Sequence, residues 1–274
     1  MLINLKLILA NPSASGNKLF SNKHVLRYNH FVPTKQSQIQ RINLRKVLPP
    51  TITTAILDMD DLMINSHPLH MKIFKTILQS YRIFLDDPTN PFTREEEASQ
   101  FGRKISDMCT YFIKKYNLSV NSETMLRQFN DLMIPIFEKT DIQPMPGLNS
   151  LIQALVSHNF SLVLASSAKK EKIDIILKKL ELTGAFPIIV SGEDEIGHGK
   201  PAPDIFLKAA QKAGVRPGEC MVFEDARNGV EAAKTAGMYA IGVHNKFAMG
   251  RLGLKQNLTD ADIQVYGLDS LSFE

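Results

Sequence analysis

Short apolar runs and longer stretches of helical period follow one another along this chain, and their order sets the expected architecture. The first run, Thr54-Ala55-Ile56-Leu57, ends at Asp58-Met59-Asp60 and reads as a buried strand. Residues 62–66 form a short connector. From His67 to about Met145 the period becomes helical. Ile105, Met108, Phe112, Ile113 and Tyr116 recur at helix spacing, as do Met125, Leu126, Phe129, Leu132, Met133, Ile136 and Phe137. These Met and Phe stripes read as bundle core, and Pro135 predicts a kink or an early stop in the second helix. Pro144-Met145-Pro146-Gly147 is turn punctuation. Helices are then expected at 149–158, 170–180, 205–213 and 229–236. They alternate with strands at 161–165, 187–190, 221–223 and 239–243, and a last short strand is expected at 263–265.

Strand–helix alternation predicts a parallel sheet with helices on both faces. The strand at 54–57 joins that sheet, so the helical block at 67–145 is an insertion. The expected domains are an extension at 1–50, an α/β core at 51–66 plus 146–274, and a helical insert at 67–145. Ligands of such sheets bind beyond the carboxyl ends of the strands, which directs attention to the residues following each one.

Those residues are rich in candidate chemistry. Asp58 and Asp60 end the first strand; one carboxylate can attack an electrophile while the other manages a proton or holds a metal. An isolated Asp-x-Asp is more often a solvated turn. Ser166-Ser167-Ala168-Lys169 opens a helix with hydroxyls and backbone N–H groups that suit an anion, although a plain serine cap has the same appearance. In Gly197-His198-Gly199-Lys200-Pro201-Ala202-Pro203-Asp204, Lys200 is clamped between glycine and proline. Such a lysine is less free to be an idle surface charge. Glu224-Asp225 ends a further strand, ahead of Asn228-Gly229. Acidic residues there serve as simple caps elsewhere; beside Asp58 and Asp60 they make an all-oxygen site suited to Mg²⁺. The set as a whole is a phosphoryl-transfer kit: a metal and a lysine to neutralise phosphate oxygens, one aspartate to attack, another to move protons.

Composition narrows the classes of partner. The formal charge of +4 is carried by the first 50 residues, which hold eight Lys and Arg and no Asp or Glu. Beyond them, 24 basic residues face 28 acidic ones, so charge gives no reason to expect nucleic-acid binding. No run of 18 apolar residues suggests a membrane span. Cys109 and Cys220 sit in apolar surroundings and read as buried free thiols of a reducing compartment. The acid-free, serine-containing tail reads either as an unstructured extension, or sequence ahead of the true start, or as an organellar transit peptide. It lacks the form of a secretory signal. The expected compartment is the cytoplasm, or an organelle on the transit reading, and the expected state is a monomer or weak homodimer.

Taken together, Asp58-Met59-Asp60-Asp61-Leu62-Met63-Ile64-Asn65-Ser66, Leu164-Ala165-Ser166, Gly199-Lys200-Pro201-Ala202-Pro203-Asp204 and Val222-Phe223-Glu224-Asp225-Ala226-Arg227-Asn228-Gly229-Val230 resemble, in order, the four motifs of the haloacid-dehalogenase-like superfamily. The insert after the first motif resembles the C1-type helical cap of subfamily IA, the subgroup with β-phosphoglucomutase and small sugar-phosphate phosphatases. The resemblance implies a Rossmannoid core and an aspartyl-phosphate chemistry. Asp58 would be the nucleophile and Asp60 the general acid/base, with its backbone carbonyl on Mg²⁺. Met59 would supply backbone at the phosphate, and Ser166 and Ser167 would bind the phosphoryl group. Lys200 would balance its charge, and Asp58, Glu224 and Asp225 would complete the metal site. Arg103 and Lys104, in Phe101-Gly102-Arg103-Lys104, fall where the family places a substrate-facing loop, although a solvated basic pair is as ordinary a reading. The implied activity is Mg²⁺-dependent hydrolysis of a small phosphorylated metabolite. A β-phosphoglucomutase-type phosphomutase and a catalytically silent binding module are the alternatives, and a dehalogenase is disfavoured because it has no use for Asp60. Three positions depart from the family: Asp61 for a usual glycine in a tight turn, Asn65 for aspartate, and Ala226 for serine. Aspartate tolerates the left-handed backbone such a turn requires.

Overall fold

The architecture is that of a computed structural model that describes residues 41–273. The tail assigned to 1–50 on composition lies outside the described residues as far as position 40; residues 41–50 are folded, which corrects that boundary. Strand β1 (Ile42–Asn43) leads into helix α1 (Leu44–Val47), which buries Leu44. A two-residue strand and a one-turn helix are too short to leave a period in the sequence.

The chain continues through β2 (Thr54–Leu57), α2 (His67–Ser80), α3 (Arg94–Gln100), α4 (Ile105–Tyr116), α5 (Ser122–Lys139), α6 (Leu148–Ser157), β3 (Ser161–Ser166), α7 (Lys170–Lys179) and β4 (Ile188–Ser191). It then forms α8 (Gly192–Glu195), α9 (Asp204–Ala213), β5 (Cys220–Glu224), α10 (Arg227–Thr235), β6 (Tyr239–Val243), α11 (Lys246–Leu252), β7 (Ile263–Val265) and β8 (Leu271–Ser272). Six strands make one sheet in the order β4-β3-β2-β5-β6-β7, every neighbour parallel. β1 pairs with β8, also in parallel.

Alternate residues of each strand serve opposite layers, as the two-residue period requires. On β2, Ala55 and Leu57 join the larger apolar cluster, which holds the buried faces of α6 and α7; Ile56 joins the cluster formed by α9 and α10. A sheet covered on both faces explains why β2 is buried at every position. Helices α2–α5 form the insert. Their core centres on Phe74, whose ring lies 4.8 Å from Phe112 and 5.0 Å from Phe129. Helix α5 runs through Pro135 to Lys139, so the expected early stop does not occur. Met125, Phe129, Met133 and Phe137 are all buried along its length, and that packing outweighs one missing backbone donor. Helix α10 begins two residues ahead of its expected start at Gly229. No described helix is long and apolar enough to cross a membrane.

The chain leaves the sheet through residues 58–66 and returns at Gly147. Gly147 has φ +89°, and a Cβ there would fall 2.3 Å from the backbone nitrogen of Asp269. Gly147→Ala combines left-handed strain with a clash against main chain, so we expect it to lower unfolding free energy by about 2 kcal/mol or more. Urea titration checks this; an unshifted midpoint would show that the return loop relaxes freely.

Candidate active site

The carboxyl ends of the two central strands build the site. Leu57 pairs in register with Phe223, and Asp58 N donates to Phe223 O at 3.1 Å. The next residue on each strand, Asp58 and Glu224, therefore emerges side by side. Lys200 Nζ donates to Asp58 Oδ1 and Glu224 Oε1, both at 2.5 Å, while lying 5.0 Å above the Phe206 ring. Asp58, Lys200, Glu224 and Asp225 are all buried. The Lys200–Pro201 peptide is cis.

One carboxylate oxygen from each of Asp58, Glu224 and Asp225 lies within 4.8 Å of the other two. Burial, reinforced by Glu224 and Asp60, lifts the Asp58 carboxyl to about 7 against the pull of Lys200. Burial and the neighbouring acids raise Asp225 well above the usual range. Burial pulls Lys200 down, but Asp58 and Glu224 outweigh it and hold the ammonium above its ordinary value. Three enclosed carboxylates facing one ammonium leave negative charge uncompensated. An oxygen-only donor set short of positive charge fits a hard divalent cation.

Asp60 turns elsewhere. Its two carboxylate oxygens accept from Lys172 Nζ at 2.7 and 2.9 Å. Burial pushes Asp60 up, yet the Lys172 ammonium prevails and holds it below the ordinary carboxylate value. Asp61 stands at φ 59°, the left-handed backbone expected where the family has glycine. Its Oδ1 accepts from His67 N at 2.9 Å, and its carbonyl accepts from Asn245 Nδ2 at 2.8 Å. Ser166 is buried, its Oγ accepting from Ala168 N at 3.2 Å, whereas Ser167 faces the cavity. Met59 lies wholly in the core, its carbonyl accepting from Met63 N at 2.9 Å.

Above these groups lies a cavity of about 460 Å³, walled by the sheet ends below and the insert above. Arg103 and Lys104 line it from the insert, with Gln100 and Asn130 beside them. Gln100 Oε1 is buried without a hydrogen-bond partner. The loop carrying Arg103 rests on the core: a Cβ on Gly102 would meet Ala226 Cβ at 3.6 Å, and one on Gly199 would lie 4.0 Å from Lys104 Nζ. Lys172 and His70 were not among the sequence candidates. The available sign was a lysine among the apolar positions 173, 176 and 177 of one helix face. Its partners lie 112 and 102 residues away in the chain and leave no local pattern.

Fold and site together define a parallel-sheet α/β enzyme whose acidic centre sits beyond the strand ends, beneath an inserted helical layer. The family profile described as haloacid dehalogenase-like hydrolase matches residues 55–243, and the chain belongs to that family. Among similar proteins, the probable pseudouridine-5'-phosphatase of Drosophila melanogaster is 30% identical over 69% of this chain and 80% of its own length. β-Phosphoglucomutase of Bacillus subtilis is 30% identical over 80% of this chain and 91% of its own. In structure, CbbY from Rhodobacter sphaeroides in complex with phosphate shares the fold at TM-score 0.66 and 18% identity, covering 80% of this chain and 95% of its own.

Two outcomes are expected from this geometry. A Cβ on Gly229 would fall 1.8 Å from Glu224 Oε1, so Gly229→Ala must expel that carboxylate from Lys200. Calorimetric titration with Mg²⁺ should show affinity weakened by about 10-fold or more, and unchanged affinity would separate Glu224 from any metal. The second concerns Asp61, which burial lifts from 3.8 to about 7. A group raised on folding stabilises fully below its unfolded value and loses that contribution as pH climbs through the folded one. Asp61→Asn keeps the acceptor for His67 N, so its melting temperature in chelator should fall less than that of wild type between about pH 4 and about pH 7. Parallel slopes would show that Asp61 does not titrate in this window.

Proposed function

We propose that this protein is a Mg²⁺-dependent phosphatase that hydrolyses a small phosphate monoester, a sugar phosphate or similar metabolite, through an aspartyl phosphate on Asp58. The observation that carries the reading is the buried bridge from Lys200 to Asp58 and Glu224 at 2.5 Å, with Asp225 alongside. It supports the reading because a buried carboxylate, a fixed cation and an acid cluster suited to a metal meet at one point.

Asp58 attacks phosphorus as the ester oxygen departs; the proton that oxygen takes up passes through Asp60, a carboxylate at rest that first receives it from the phosphate monoanion or from water. Water then attacks the aspartyl phosphate, Asp60 accepts its proton, and Asp58 is released. Lys200 holds the transferring oxygens with its ammonium, while Ser166 and Ser167 offer hydroxyl and main-chain donors at the strand end. Asp58, Glu224, Asp225 and the Asp60 carbonyl would hold Mg²⁺, which would supply charge neutralisation for the phosphate. The insert acts as a cap: Arg103 and Lys104 face the leaving group, and cover over the site keeps water from competing with the first attack. The two cysteines, both buried and unpaired, fit a reducing compartment such as the cytoplasm.

A phosphomutase is the second reading, favoured by the similarity to the Bacillus enzyme. A panel of sugar, polyol and nucleoside monophosphates with Mg²⁺ tests both. We expect free phosphate from at least one ester, loss on chelation with recovery on added Mg²⁺, and a fall on the order of 10³-fold or more in Asp58→Asn. Isomerised sugar phosphate from glucose 1-phosphate and a bisphosphate primer, with little free phosphate, would replace phosphatase by mutase. Turnover of no ester in the panel would leave a binding module.

A further inference from the structure

Lys172 occupies the buried face of α7 beside Ile173, Ile176 and Leu177, and is 2% exposed. Its ammonium lies 4.7 Å above the Phe137 ring of the insert. It donates to both oxygens of Asp60, at 2.7 and 2.9 Å, and stands 3.2 Å from His70 Nε2. An ammonium has three donors and no acceptor. His70 Nε2 is therefore the acceptor, and the imidazole carries its proton on Nδ1. Burial, with Lys172 adding, holds His70 near 3, consistent with that neutral ring.

All three donors of Lys172 thus point at defined acceptors. Enclosing a lysine among apolar residues is costly unless its charge is answered, and here the answer is a carboxylate that faces the cavity. Asp60 needs such support. It follows the end of β2, where a single bridge to Ile64 holds its backbone, but its side chain is 27% exposed and takes its hydrogen bonds from Lys172. The site divides its acids between two cations. Lys200 holds Asp58 and Glu224, and Lys172 holds Asp60 without touching the acid cluster.

We propose that Lys172 is a positioning residue: it fixes the Asp60 carboxylate where that group exchanges protons with the departing oxygen and with water, and it plays no part in attack by Asp58. This rests on the phosphatase reading.

The test separates the two half-reactions with p-nitrophenyl phosphate, whose leaving group departs without a proton. Formation of aspartyl phosphate from this ester needs Asp58 but not Asp60; hydrolysis of that intermediate needs Asp60. Lys172→Met should give a burst of p-nitrophenolate of about one equivalent per enzyme at close to the wild-type rate. Turnover afterwards should be slowed roughly 10²-fold, with phosphoenzyme visible by mass spectrometry after acid quench. Asp60→Asn should show the same pattern, Asp58→Asn no burst, and Lys172→Arg partial recovery of turnover. The burst also shows that the variant is folded. Burst and turnover falling together, or neither changing, would overturn the role of Lys172 alone. Wild-type enzyme inert to p-nitrophenyl phosphate and the whole ester panel would remove the phosphatase reading, and this inference with it.

Discussion

A single buried ammonium reconciles two acids that the sheet forces together. In-register pairing of β2 with β5 delivers Asp58 and Glu224 side by side, where bare repulsion and lost hydration would favour neutral carboxyls. Lys200 reaches both at 2.5 Å. Much of the surrounding sequence serves that contact. The Phe206 ring lies beneath the ammonium, and Gly229 leaves room for the Glu224 carboxylate, which is steadied by Ala226 N at 2.9 Å. With Asp225 added, one cation is too few, and this shortage suits the cluster to a divalent ion.

The insert completes the site from the other side. Its aromatic core is continuous with the larger cluster under the sheet, so it is built as part of the fold and not as a loose flap. It presents two kinds of surface to the cavity: exposed Arg103 and Lys104 near the core contact at Gly102, and His70 beside Lys172, with the buried Phe137 ring under that lysine. The two cations come from different segments, Lys200 from the turn ahead of α9 and Lys172 from α7.

Much of this was legible in the chain and some was not, for physical reasons. Strands β2, β3, β5 and β6 announce themselves because a sheet covered on both faces demands uninterrupted apolar runs. Asp58, Lys200, Glu224 and Asp225 could be picked out because the parallel topology brings every strand's carboxyl end to one edge. The family resemblance put Asp61 in a tight turn where glycine is usual, and φ 59° agrees. Pro135 does not stop α5, since tertiary packing along the helix outweighs its local penalty. Short elements such as α3, α8 and α11 carry too few residues for a period. The grip of Lys172 on Asp60 joins groups 112 residues apart, and contact at that separation is a property of the fold, invisible to any local window.

The small ladder between β1 and β8 has a kinetic meaning. Ile42 pairs with Leu271 across 229 positions of chain. Closing a loop of that length from an open coil costs about 5 kcal/mol by the logarithmic scaling of closure entropy, and a two-residue ladder returns only about 1 kcal/mol per hydrogen bond. The pairing therefore cannot nucleate anything: it zips after the main sheet has brought its ends within reach, and amide protection at Asn43 and Ser272 would mark a chain that has finished folding.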